Sequence, residues 1–262
     1  MLTPPTTVTT EFRPEVDLAG VSKGYGRGSD RIQAVEGVDL TIRQKEFVSI
    51  LGPSGCGKST LMLMIAGLVK PSSGAISIQG RNVAGPMRSN GIVFQNPVLL
   101  PWRTILDNVL LPIELMGEYV KDYEDHAFKL LDIAGIAEFA DRLPDEMSGG
   151  MRQRAGICRA LVHYPSLLLM DEPFSALDAM TRDDMNLELL RIWERDRKTV
   201  VFITHSISEA IFLSDRVVVM SKRPARIVAD IEVPLSRPRT MEQQEAPEFA
   251  NLKARIRKLI EH

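Results

Sequence analysis

Short runs of β-branched and other apolar residues recur along the chain, at 47–51, 92–94, 167–170, 200–203 and 217–220. Each is followed by a helix-compatible stretch, the alternation expected of strands joined by crossover helices in an α/β domain. Residues 167–170 are apolar at every position, which predicts a central parallel strand covered by helices on both faces. Asp171 then falls at the sheet edge where such folds bind ligands. Residues 16–21, 38–42 and 75–78 instead alternate apolar with polar positions and suit an antiparallel layer with one wet face beside the parallel core.

Several helix-like stretches lie between 105 and 146, with Pro112, Gly117, Gly135 and Pro144 as punctuation, and they read as a helical insertion. Near the end, Phe249, Leu252, Ile256, Leu259 and Ile260 make one apolar stripe flanked by Lys and Arg. A docked C-terminal helix explains that stripe better than a helix lying on a membrane surface. The first residues, rich in Thr and Pro, lack the basic start and apolar core of a signal peptide and read as a frayed tail.

Composition narrows the picture modestly. With 44% hydrophobic residues the chain can fill a substantial core. Lys and Arg total 32 against 34 Asp and Glu, a net charge of -2, so nucleic acid is not the expected partner. Cys56 and Cys158 form no metal-spaced or disulfide pattern, which fits a reducing cytoplasm. No window approaches the ~20 apolar residues of a membrane span; the greasiest, 109–116, contains Pro112 and Glu114. If the protein works at a membrane, other chains must hold it there.

The strongest chemical signal is GPSGCGKST: Gly52, Pro53, Ser54, Gly55, Cys56, Gly57, Lys58, Ser59 and Thr60. It follows a strand and precedes an apolar helical run, as a phosphate-binding loop does. Its glycines let successive N–H groups and a helix N-terminus face a phosphate, Lys58 reaches the β and γ oxygens, and Ser59 ligates Mg²⁺. A second magnesium anchor is offered by LLLMDEP, where Asp171 is followed by Glu172. Adjacent acids at a strand end point in different directions, so Asp171 can hold the metal shell while Glu172 acts as general base on water. Alone, such a pair is more often a solvated strand exit; beside GPSGCGKST the chemical reading prevails.

These motifs leave kinases, GTPases, helicases and other NTPases open. Between them lies MSGGMRQR, a Ser-Gly-Gly turn that opens a helix-forming run. Here the chain resembles the ATP-binding-cassette (ABC) family, whose signature Ser148, Gly149 and Gly150 match. In isolation that turn would be only a helix cap, although its hydroxyl and bare amides also suit a γ-phosphate. The resemblance continues in order over about 16–235. It implies that Tyr25 packs on adenine, that Gln95 senses the γ-phosphate and magnesium, and that Asp178, in Ser175, Ala176, Leu177, Asp178, crosses a dimer interface. His205 would contact the γ-phosphate and orient the catalytic glutamate. By themselves a lone Tyr is usually packing and a lone His after a strand usually structural; it is the ordered series that changes their reading.

The family likeness predicts a P-loop NTPase fold: a central, mainly parallel sheet, an antiparallel β layer and a helical insertion at about 105–160. The ATPase domain would span 16–235, preceded by a disordered tail over 1–15 and followed by a helical extension over 236–262. The implied cofactors are ATP and Mg²⁺. Met151 stands where many members carry Gln. With QNPVLLPWRTILDNV and RPARIVADIEVPLSRPR, it makes the chain most similar to the subfamily serving nitrate, sulfonate and taurine importers. That resemblance implies two integral membrane permease subunits, a solute-binding protein, an ATP-dependent homodimer and a cytoplasmic place on the inner face of the membrane. Residues 95–116, with Val98, Leu99, Leu100 and Trp102, would carry the groove for a permease helix, the bland alternative being a buried loop. An exporter cassette is often fused to its membrane domain. Cassettes of DNA repair or translation usually show a second cassette, a coiled coil or a basic surface.

Overall fold

The computed structural model describes residues 14–26, 32–175 and 177–261. Residues 1–13, the bulk of the expected tail, and Ala176 lie outside the described residues. The described residues begin with two long strands, β1 (Pro14–Tyr25) and β2 (Ile32–Arg43), which pair antiparallel. The first strand thus starts two residues before the boundary read from its alternation, with Glu15 buried and bonded to Gln79 Nε2 at 3.0 Å. With β4 (Ser73–Ile78) and the two-residue β5 (Arg81–Asn82) they form a four-stranded sheet in the order β2-β1-β4-β5.

The second sheet combines β3 (Phe47–Leu51), β6 (Asn90–Val93), β7 (Leu167–Asp171), β8 (Thr199–Thr204), β9 (Arg216–Met220) and β10 (Ile227–Glu232) in the order β10-β9-β3-β8-β7-β6. All neighbours are parallel except β10, which returns antiparallel to β9 as an edge strand. The expected parallel strands are all present, although β6 stops at Val93 and leaves Phe94 and Gln95 in the loop beyond it. β10 carries no run of core residues to announce it, because every second position faces solvent.

Consecutive residues of the parallel strands feed opposite cores. Leu168 and Met170 join Phe47, Phe202, Val217 and Val219 in one hydrophobic cluster. Leu167 and Leu169 join Val48, Ile50, Val201, Ile203 and Val218 in the other, with Leu61, Met62, Met64 and Ile65 of α1 (Lys58–Ile65) and the antiparallel layer. The full apolarity of β7 is therefore the mark of burial on both faces.

The insertion consists of α2 (Ile105–Met116), α3 (Lys121–Ile133) and α4 (Gly149–Leu161), with short 3-10 turns before α4. Thr104 and Asp107 cap α2 reciprocally, and Gly117 ends it in the left-handed region at φ 75°. Pro112 does not punctuate here: it lies inside α2. The helix continues because the Pro costs one i→i−4 bond while Ile105, Val109, Leu110 and Ile113 stay buried. α5 (Ala179–Arg195) and α6 (Ile207–Leu213) complete the layer against the large core. The last helix, α7 (Pro247–Glu261), docks on α6 and β9. Phe249 and Ile256 are buried and Leu252, Leu259 and Ile260 pack beside them, as the apolar stripe required.

Candidate functional site

Strand register gathers the chemistry. Leu51 pairs with Thr204 and Asp171 with Ile203, so β3, β8 and β7 end side by side. The glycine-rich loop, His205 and Glu172 all leave the sheet at this one edge. Close approach of neighbouring backbone demands glycine at Gly57, which sits at φ 133° and where a Cβ would lie 2.7 Å from the Ala34 carbonyl, and at Gly52, where a Cβ would come within 2.9 Å of the Met220 carbonyl. Gly57 is also the N-cap of α1 and makes no side-chain cap bond, so the first amides of that helix are left to a ligand. Lys58, only 4% exposed, curls back and donates to the carbonyls of Gly52 at 2.8 Å and Pro53 at 3.1 Å.

Ser59 Oγ donates to Asp171 Oδ1 at 3.0 Å, a hydroxyl and carboxylate pair of the oxygen type that hard divalent cations take. Burial pushes the Asp171 carboxyl above its ordinary value; the Ser59 bond and Lys58 oppose this, and Glu172 adds to it. Glu172 follows at φ 44°, a left-handed backbone unusual for a non-glycine residue. Its N–H bonds the Ile203 carbonyl at 2.9 Å, and its carbonyl accepts from Ser175 N at 3.2 Å. One carboxylate oxygen lies 3.8 Å from Lys58 Nζ and the other 2.9 Å from His205 Nδ1. Gln95 Nε2 donates to Ser175 Oγ at 3.0 Å.

Lys58, Gln95 and Glu172 line a cleft of about 510 Å³ together with Tyr25, Ser54 and Arg223; Asp171 and His205 adjoin it through their bonds to Ser59 and Glu172. Tyr25 stands at its mouth, 44% exposed, with Lys23 Nζ 5.2 Å from the ring centroid. Among the sequence-predicted residues, Gly55, Gly57, Ser59 and Thr60 also line it, and Gly52 and the buried Cys56 shape the loop from behind.

Two groups of sequence-predicted residues stand apart from this cleft. Ser148 caps α4, its Oγ accepting from Met151 N at 3.3 Å, and Gly149 and Gly150 form the first turn. Asp178 caps α5, accepting from Thr181 N at 3.1 Å and Thr181 Oγ1 at 2.7 Å. Those bonds hold its carboxyl below the usual value. A Cβ on Gly150 would lie 3.4 Å from Thr181 and 3.8 Å from Leu177, so the two turns form one surface of their own. None of their residues lines the cleft.

Sequence reasoning missed Arg223, whose Nη2 donates to the Gly55 carbonyl at 2.7 Å across 168 residues of chain. It also missed Glu209, buried behind the site and bonded to Thr204 Oγ1, with its carboxyl pushed up by burial. A single Arg beside a Pro, or a single Glu in a short helix, has no spacing that marks it. The expected groove segment divides by depth: Leu99 is buried and Leu100 half-buried, whereas Val98 and Trp102 are 64% and 73% exposed. The loop is tied to α4, where Arg159 donates to the Val98 carbonyl at 2.6 Å.

A doubly covered parallel sheet with a glycine-rich phosphate loop and an acidic pair at neighbouring strand ends defines a P-loop nucleotide hydrolase. Residues 35–175 match the ABC transporter family model, and the chain belongs to that family. A taurine import ATP-binding protein of Rhizobium johnstonii is 45% identical over 94% of this chain and 95% of its own length. A nitrate import ATP-binding protein of Synechococcus elongatus is 42% identical over 84% of this chain and 82% of its own. Among solved structures, a dimeric post-hydrolysis state of an ATP-binding cassette bound to ADP and Pi superposes with a TM-score of 0.71 at 33% identity, covering 84% of this chain and all of that one. The chain is accordingly an ATPase of the cassette type.

Proposed function

We infer that this chain is the ATP-hydrolysing subunit of an importer, working through separate permease subunits on the inner face of a membrane. The observation that carries the reading is the convergence of Lys58, the Ser59–Asp171 pair and the Glu172–His205 pair on one sheet edge. Lys58 offsets charge on the β and γ phosphate oxygens. Ser59, Asp171 and the side-chain carbonyl of Gln95 fit the all-oxygen donor set of Mg²⁺, which when bound further offsets that charge. Glu172 takes a proton from water as the water oxygen bonds to the γ-phosphorus and the bond to the bridging oxygen breaks. His205 fixes the orientation of that carboxylate, and Tyr25 offers its ring to adenine.

Because Ser148 to Gly150 and Asp178 stand away from the cleft, a second copy placed head to tail is needed to close the γ-phosphate's far side. That supports a homodimer with ATP in its interface, opening after hydrolysis. The taurine and nitrate relatives favour import, with a solute-binding protein in the system and a small anion of that class as cargo. The decisive test is Glu172→Gln, which keeps shape and loses the base: ATP should still bind while hydrolysis falls on the order of 10² or more. Near-normal turnover would place the base elsewhere.

A further inference from the structure

The segment RPAR at 223–226 has no role in the chemistry above, yet it touches the phosphate loop. It forms the turn between β9 and β10, and that turn is held in several ways. Ser221 N donates to the Arg226 carbonyl at 2.9 Å, and Ser221 Oγ accepts from Arg226 N at 3.0 Å. Ala225, fully buried, is stitched to β2: its N–H bonds the Ala34 carbonyl at 3.0 Å, and its carbonyl accepts from Glu36 N at 3.0 Å. Arg226 pairs with Glu36 at 2.8 Å. The same Ala34 carbonyl and Ala225 Cβ close the space around Gly57, at 2.7 and 3.3 Å from a Cβ built there. Arg223 therefore projects from a turn fixed in place against the loop's far end.

From that support its guanidinium reaches the Gly55 carbonyl at 2.7 Å. The peptide unit from Gly55 to Cys56 is thus held at both ends, since Cys56 N donates to the Pro53 carbonyl at 3.3 Å. Gly55 and Gly57 sit in the left-handed region, at φ 70° and 133°. Glycine supplies that curl and also leaves the loop free to leave it. A bond to a fixed neighbour removes that freedom before the ligand arrives, which lowers the ordering cost of binding. No carboxylate pairs with Arg223 among the described ion pairs.

We propose that Arg223 is a positioning residue for the phosphate loop, acting through the Gly55 carbonyl to preset the curl that receives a nucleoside diphosphate or triphosphate. The inference rests on the nucleotide reading above. It is tested by calorimetric titration of the full chain with ADP, which involves no turnover. Arg223→Ala should raise the ADP Kd about tenfold and speed amide hydrogen exchange across the phosphate loop, with little change in Tm because the side chain is exposed. Arg223→Lys, which keeps a donor of nearly the same reach, should recover affinity to within about threefold of wild type. The deficit of Arg223→Ala should persist from low to high salt, since a single hydrogen bond is not screened as a free charge is. Glu36→Ala, which breaks the Arg226 pair in the same turn, should leave ADP affinity unchanged. Wild-type affinity in Arg223→Ala would overturn the proposal. So would a deficit that disappears at high salt, which would make Arg223 a diffuse charge, or an equal loss in Glu36→Ala, which would assign the effect to the whole turn. Failure of the wild-type chain to bind ADP would instead overturn the nucleotide reading itself.

Discussion

Glu172 holds His205 with one carboxylate oxygen, at 2.9 Å from Nδ1, and faces Lys58 with the other, at 3.8 Å. The two contacts leave the carboxylate little rotational freedom. His205→Ala removes the hydrogen-bonded side, and the expected outcome is a fall in kcat of about 10² with nucleotide Kd changed less than about threefold. Rapid-quench turnover and ADP titration on the same preparation check this; equal losses in both would make His205 a binding group.

Ser59 and Asp171 share one hydrogen bond at 3.0 Å and supply the oxygens that suit magnesium. Ser59→Ala and Asp171→Asn should weaken ATP binding in Mg²⁺ about tenfold, while binding in EDTA stays near wild type. Equal losses under both conditions would show that the pair supports the loop rather than the metal.

Glu209 carries a carboxyl raised above its ordinary value by burial. The folded chain therefore binds this proton more tightly than the unfolded chain, so the contribution is present at low pH and is lost as pH rises through the folded value. Glu209→Gln should have the same Tm as wild type near pH 4.5 and a higher Tm at pH 8. A parallel pH dependence of Tm in the two proteins would refute the assignment.

The separation of Ser148 to Gly150 from the cleft predicts complementation. In a heterodimer of Lys58→Ala with Ser148→Arg, one shared site receives both intact halves and the other both damaged ones. ATPase activity or ATP-trapped dimer above that of either variant alone is the expected result. If both signals were missing in verified heterodimers, each site would have to be built within one chain.

Depth within the 95–102 loop predicts opposite outcomes for neighbours. Trp102→Glu, at an exposed position, should leave basal ATPase within about twofold and abolish transport in the reconstituted importer. Leu99→Glu buries a charge and should cost folding. Transport that survives Trp102→Glu would place the permease contact elsewhere.

What the sequence revealed follows from how each feature is encoded. The parallel strands announced themselves because two covered faces demand unbroken apolar runs, and GPSGCGKST because a curled loop demands glycine at set places. β10 was missed because as an edge strand it buries only Ile231 well. Pro112 misled because burial of its neighbours outweighs one lost backbone bond. The Gly55–Arg223 contact joins residues that no local pattern relates; the parallel pairing of β3 with β9, Leu51 beside Val219, brings the segments that follow them together.

The alternation along β7 gives its residue count a chemical meaning. Odd positions, Leu167 and Leu169, face the side where α1 lies, and Asp171 continues that parity to reach Ser59 on the same helix. Glu172 has the other parity and turns to His205. Inserting or deleting one residue in the strand would do more than exchange its apolar contacts: it would send the wrong acid to each partner. Which carboxylate meets the hydroxyl and which meets the imidazole is decided by counting, several residues upstream of either.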